Sequence, residues 1–188
     1  FLSKRNVKIS TLLKRKSSKI KVLNKNQDIV DKSNWIFLSV TPEIGKKIIK
    51  DLKFKRKQII ISFVSTIKLI ELKKYIKTKN IIIRAIPLPP ISLGVGPIPI
   101  FPTNKEVKHF FNQIGKTIEI KNEKLSFNFW TMSSMMAPYY EILSYLSSWL
   151  KKRGLKKSEA EKYITSLFLG LSKNANENKY KNLNELVK

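Results

Sequence analysis

The stretch Ile59-Ile60-Ile61-Ser62-Phe63-Val64 decides the fold. It is short, rich in β-branched residues and apolar on both alternating faces. A strand built from it has no side to turn to water and must be covered above and below, which is the condition of a strand inside a parallel sheet. Two counterparts flank it, Trp35-Ile36-Phe37-Leu38-Ser39-Val40 upstream and Ile81-Ile82-Ile83-Arg84-Ala85-Ile86 downstream. Between these runs the apolar spacing changes to that of helices. Pro42 is predicted to open the first helix as a first-turn proline, with Ile44, Ile48, Ile49 and Leu52 on one stripe. The next carries Ile67, Ile70, Leu72 and Ile76 amid lysines. Strands alternating with such helices predict right-handed crossovers and an α/β sheet covered on both faces.

Ligands of open α/β sheets bind beyond the carboxyl ends of the strands. Two of those ends read Ser39-Val40-Thr41-Pro42-Glu43 and Arg84-Ala85-Ile86-Pro87-Leu88-Pro89-Pro90. Prolines fix an extended backbone and remove donors, so the second end is either a rigid wall for a flat ring or a purely structural turn. Past Gly94 and Gly96 the segment Pro97 to Phe101 is expected as an edge strand, because its prolines cannot donate to a ladder. A helix from about Asn104 to Ile114 and a strand from Thr117 to Ile120 then close a first domain, residues 1–121. From Asn122 onward, residues 122–188 read as all helix. Leu125 to Leu150 holds a single formal charge, Glu141, but its serines and Pro138 argue against a membrane span and for a bundle centre or an oligomer interface. Gly154 is expected to end that helix, and Ser158 with Glu161 to form the capping box of the next.

Composition narrows the chemistry. With 188 residues, 42% of them hydrophobic, the chain can bury a real core, so disorder is not expected. No cysteine is present, which removes disulfides, thiolate metal sites and cysteine nucleophiles and fits a reducing, cytoplasmic compartment. The single histidine, His109, stands on a helix-like stretch without a partner histidine, and reads as a surface or half-buried helix residue; no metal site is expected. Asp28, Asp31, Glu43 and Asp51 read as helix-turn and surface residues rather than a catalytic carboxylate pair. The formal charge of +25 attracts phosphate polymers and anionic surfaces. Most lysines, however, scatter along polar helix faces, and no stacking aromatics alternate with the clusters Lys14-Arg15-Lys16, Lys53 to Lys57 and Lys151-Lys152-Arg153. A basic nucleic-acid-binding protein is therefore the lesser alternative.

The order of these segments resembles the pyrroline-5-carboxylate reductase family over essentially the whole chain. Ser3-Lys4-Arg5-Asn6 resembles the family's site for the 2′-phosphate of NADP, and Asn24 to Asp31 the loop whose asparagine, here Asn26, approaches the adenosine half. Ser39-Val40-Thr41-Pro42 resembles the turn that touches the nicotinamide ribose and phosphates, with Thr41 in place of the usual lysine. Ser62-Phe63-Val64 resembles the strand end bordering the nicotinamide. Arg84 to Pro90 resembles Arg-x-Met-Pro-Asn-x-Pro beside nicotinamide and substrate, with Leu88 in place of asparagine. Ser133-Ser134-Met135-Met136-Ala137-Pro138-Tyr139 resembles Ser-Gly-Ser-Gly-Pro-Ala-Tyr at the start of the long dimer helix, with Ser134 and Met136 replacing glycines.

The resemblance implies an incomplete Rossmann-like parallel sheet with helices on both faces, followed by a partial all-α dimerisation domain. It implies NADPH as cofactor, held by Ser3, Arg5, Asn6, Asn26, Val40, Thr41, Pro42, Ser62, Val64, Arg84 and Pro87, and substrate contacts at Leu88, Pro89, Ser133, Ser134 and Met135. The G-x-G-x-x-G turn is expected upstream of Phe1 and a Pro-Gly-Gly-Thr segment beyond Lys188. The implied activity is reduction of a cyclic imine such as 1-pyrroline-5-carboxylate to proline in amino-acid biosynthesis, by a homodimer or higher homo-oligomer. No side chain is assigned a catalytic role, and neither nucleic acid nor membrane is an implied partner. The substitutions at Leu88, Ser134 and Met136 admit a second reading, a paralogue that binds cofactor without turnover.

Overall fold

A computed structural model describes residues 2–3, 22–177 and 182–187. The chain divides into two compact units, Phe1–Phe129 and Trp130–Lys188. The change in sequence character comes earlier, at Asn122. The division falls later because the first residues of the helix that starts there, Glu123 and Ser126, take their hydrogen bonds from the sheet unit.

In the first unit, strands β1 (Leu2–Ser3) and β2 (Val22–Leu23) pair in parallel as a two-stranded sheet. A five-stranded sheet runs in the order β3 (Trp35–Leu38), β4 (Ile59–Ser62), β5 (Ile81–Ala85), β6 (Pro97–Phe101) and β7 (Lys116–Glu119). The three apolar runs are adjacent and parallel, as expected. Their two side-chain sets enter separate cores. Ile36, Leu38, Ile60 and Ile82 pack with Val30 of α1 (Asn26–Lys32), Ile49 of α2 (Pro42–Asp51) and Leu69 and Leu72 of α3 (Leu69–Tyr75). Ile59, Ile61, Ile83, Ala85, Ile98 and Ile100 pack on the other face with Val107 and Phe111 of α4 (Lys105–Phe111).

Several expectations need correction. Strand β6 is not an edge strand: it lies between β5 and β7, antiparallel to the first and parallel to the second. Backbone groups alternate sides along a strand. Gly96 and Ile100 give their carbonyls to β7, accepting from Lys116 and Ile120 at 2.8 and 3.0 Å. Pro97 and Pro99 therefore face β5, where pairing is limited to Arg84 with Phe101 and Ala85 with Ile100. Pro99 still accepts there from the Ile86 amide at 3.1 Å, so the prolines forfeit donors only where the ladder is short.

In α2 the buried positions are Gly45 and Ile49, while Ile44 is 52% exposed and off the stripe. Likewise Leu69 and Leu72 are the buried positions of α3, while Ile70 points outward. On β3 only Ile36 and Leu38 are buried. Phe37 is 40% exposed and joins Trp35, Phe63 and Phe110 in a cluster of rings with centroids 5.5 to 6.4 Å apart.

Helix α5 (Glu123–Ser133) begins in the first unit. The second unit holds α6 (Met136–Lys152) and α7 (Lys157–Asn176), a helical hairpin turned at Gly154, whose φ of 104° suits glycine, followed by a short 3-10 helix, Leu183–Leu186. The apolar stretch is thus two helices broken at Ser134 and Met135, with Pro138 in the first turn of the second. The cap of α7 is also shifted. Lys156 occupies the N-cap, and the Glu159 carboxylate accepts from its amide at 3.1 Å, which leaves Ser158 and Glu161 inside the helix. Among the described residues no helix is long and apolar enough to cross a membrane.

Candidate functional site

Strand register sets the site. Leu38 is level with Ser62, and Ser62 with Arg84, so β3 and β4 end together one residue before β5 does, and their following turns leave the same edge of the sheet. The Phe63 amide donates to the Leu38 carbonyl at 3.0 Å and carries the pairing one residue past the strand end.

The first turn, Ser39 to Thr41, exposes two hydroxyl residues at the start of α2, with Thr41 as N-cap and Pro42 at the first helical position. A helix start presents amides without intrahelical partners. Glu43 is exposed in the same turn, so this helix start suits a ribose hydroxyl better than a phosphate. Val40 is half-buried. It packs against Gly45, whose missing Cβ would lie 3.2 Å from a Val40 methyl and 3.7 Å from one of Val64. Val64 itself is buried and can meet a ligand only through its backbone. The Ser62 hydroxyl is turned into its own loop, where it accepts from the Val64 amide at 3.2 Å.

The third turn is extended only through Pro87 and Leu88. From Pro89 it folds into a 3-10 helix, Pro89–Leu93, closed by Gly94 with φ of 75°. Pro87 and Leu88 are half-buried and Pro89 is exposed. The turn thus offers a short ledge rather than a long extended wall.

Arg84 departs most from expectation. Placed by sequence against a nicotinamide, its side chain is 2% exposed and engaged wholly inward. Nη1 donates to Glu123 Oε1 at 2.6 Å and lies 3.4 Å from Ser126 Oγ, while Nη2 donates to the Ser65 carbonyl. Glu123 Oε1 accepts in addition from the Leu69 amide at 2.6 Å. Ser65, Leu69, Glu123 and Ser126 were not legible as site residues. The one available signal was that an arginine ending a buried strand must find a counter-charge, in a chain with 13 acidic residues against 38 basic ones.

The remaining predicted residues fall elsewhere. Ser3 ends β1, whereas Arg5 and Asn6 lie outside the described residues. Asn26 is not in a loop; it is half-buried as the first residue of α1. Ser133, Ser134 and Met135 belong to the second unit, at the break between α5 and α6, where the Ser134 hydroxyl donates to the Thr131 carbonyl at 2.6 Å and Met135 is 54% exposed. His109 is exposed on α4, and the described residues hold no cluster of histidine and acidic side chains that could bind a metal.

No protein-family model matches the chain. Solved structures do. The 1-pyrroline-5-carboxylate reductase of Streptococcus pyogenes superimposes with a TM-score of 0.80 and 21% identity, over 98% of this chain and 71% of its own. That of Coxiella burnetii gives 0.79 and 21%, over 99% and 73%. The Plasmodium falciparum pyrroline carboxylate reductase, solved with NADP bound, gives 0.77 and 19%, over 88% and 66%. At these identities the likeness establishes architecture: the chain has the fold of the pyrroline-5-carboxylate reductases.

Proposed function

We propose that this chain reduces the carbon–nitrogen double bond of a cyclic imine of the 1-pyrroline-5-carboxylate type, with NADPH as the reductant. One observation carries the reading: the carboxyl ends of three parallel strands, level at Leu38, Ser62 and Arg84, in a fold shared with known reductases of such imines. Bound at that edge, the dihydronicotinamide would supply a hydride to the carbon of the imine already protonated on nitrogen, giving the amine. The chain's own part is orientation and exclusion of water. In this reading Ser39, Val40, Thr41 and Pro42 meet the ribose next to the nicotinamide, and the backbone of Ser62 and Val64 borders the ring. Pro87, Leu88 and Pro89 form the ledge on which ring and substrate rest, and the substrate role of Ser133, Ser134 and Met135 rests on the sequence resemblance alone. Ser3, Arg5, Asn6 and Asn26 belong to the adenosine half, with Arg5 on the 2′-phosphate. The compartment we infer is the cytoplasm, the role proline synthesis, and the working form a homo-oligomer assembled through the helical unit.

The test is steady-state NADPH oxidation with pyrroline-5-carboxylate and with neutral cyclic imines. Turnover with any of them supports the reading; tight NADPH binding with turnover of none favours the second reading, a cofactor-binding paralogue without activity. That alternative draws on Leu88, Ser134 and Met136, which replace an amide and two glycines of the family pattern. Ser134 and Met136 carry side chains where the family pattern has glycine, and Leu88 lacks the hydrogen-bonding groups of an amide.

A further inference from the structure

We propose that the Arg84–Glu123 ion pair is a clamp that sets the turn from Ser65 to Leu69, and with it one wall of the nicotinamide crevice; the second clause rests on the function proposed above. The clamp holds this turn at both ends. Arg84 Nη2 takes the Ser65 carbonyl, and Glu123 Oε1 takes the Leu69 amide at 2.6 Å. The two grips are joined by the ion pair itself, Nη1 to Oε1 at 2.6 Å. Ser126 stands behind the pair: its hydroxyl donates to the Glu123 backbone carbonyl at 2.5 Å, and its oxygen lies 3.4 Å from Arg84 Nη1. In the middle of the turn Ile67 is fully buried, and its amide meets the Val64 carbonyl at 3.4 Å. Four segments meet here: the end of β5, the turn after β4, the start of α3 and the start of α5.

Stability alone does not account for this arrangement. Two charges withdrawn from water contribute little net stabilisation, and apolar residues of like volume generally hold a core as well. What the charges add is direction. A guanidinium fork fixes two acceptors at set angles, and one carboxylate oxygen fixes two donors. Both sets of bonds close on the turn that follows Ser62 and Val64, at the edge where β3, β4 and β5 end. Arg84 Nε is buried without a partner, so the fork is oriented toward the turn and Glu123 at the expense of its third donor. Arg84 and Glu123 are thus positioning residues, acting on the cofactor through the turn and not by contact.

The experiment compares the unaltered chain with Glu123→Gln and Arg84→Lys, by amide hydrogen exchange and by fluorescence titration with NADPH. In both variants the amides of Thr66 to Leu69 should exchange at least about tenfold faster while those of β4 and Gln58 keep their rates, since loss of one partner opens the joint locally. The NADPH dissociation constant should rise about tenfold in parallel. Unchanged exchange in the turn overturns the clamp, and so does acceleration spread evenly through the sheet, which would mark a merely structural pair. Should Glu123→Gln fail to fold, Arg84→Lys carries the test alone, because an ammonium keeps the charge but cannot reproduce the fork. Failure of the full-length protein to bind NADPH would sink the cofactor reading only, and the exchange data would still decide the clamp.

Discussion

Gln58 holds the Val30 carbonyl, its buried Nε2 donating at 2.6 Å to the last turn of α1 from the residue before β4. The same nitrogen reaches the Ser33 carbonyl at 2.7 Å, and Oε1 accepts from the Lys55 amide at 2.7 Å. One side chain therefore satisfies three backbone groups at the amino end of the sheet, opposite the proposed crevice. Gln58→Leu keeps the volume, orphans the Lys55 amide and the Ser33 carbonyl, and leaves the Val30 carbonyl only the Ser33 amide at 3.4 Å. We expect a loss of roughly 2–4 kcal/mol, read as a lower urea midpoint with unchanged slope. NADPH affinity should not move; a parallel loss of affinity would mean that the two ends of the strands are not independent.

Gly115 is a second structural test. A Cβ there would stand 2.8 Å from the Gly96 carbonyl oxygen and 2.9 Å from the Ile98 side chain, so β7 can approach β6 this closely only without one. Gly115→Ala should destabilise the chain by about 1–3 kcal/mol through overpacking. Thermal unfolding checks it, and a neutral effect would show that the β6–β7 connection can shift at little cost.

These two sites also mark what a sequence can disclose. The three apolar strands and their parallel neighbourhood were legible because each strand carries its own signal, a run buried on both faces. Pro42 likewise announced its helix start locally. Long-range arrangements have no such local trace. Pro97 and Pro99 argued for an edge strand until their alternation put the missing donors on the side of the short ladder. Arg84 reads as a ligand contact because it heads a segment that resembles the family's Arg-x-Met-Pro-Asn-x-Pro. Its partner Glu123, 39 residues away, could not be read from spacing. The capping residue of α7 moved from Ser158 to Lys156 because the Glu159 carboxylate can close the first turn without a hydroxyl.

Arg5 tests the cofactor preference inferred from Ser3-Lys4-Arg5-Asn6. A guanidinium on a 2′-phosphate makes charge-assisted bonds that NADH cannot offer. Arg5→Ala should therefore raise KM for NADPH by about ten- to a hundredfold, the loss of roughly 1.5–3 kcal/mol, with KM for NADH nearly unchanged. Initial rates with both cofactors decide it. An equal rise for both would remove Arg5 from the phosphate.

The α6–α7 hairpin supplies the last test, because it separates self-association from nucleic-acid binding by the sign of a salt effect. Ser147, Ala160 and Ile164 are buried in it, yet Tyr145, Trp149, Leu169 and Leu171 stay exposed, Tyr145 at 71%. Monomers seldom leave so much apolar surface in water, and the proposed occupant is a second copy of this chain. Copies carrying a formal charge of +25 repel one another, so added salt should tighten the assembly by screening. Binding to a phosphate polymer runs the other way, since salt restores the released counterions and weakens it. Sedimentation at low and high salt should thus show a larger species at high salt, and Leu169→Glu or Tyr145→Glu should return it to monomer with helix content unchanged. A monomer at every salt concentration, joined by tight and salt-sensitive binding to a nucleic acid, would instead make the basic surface the working one.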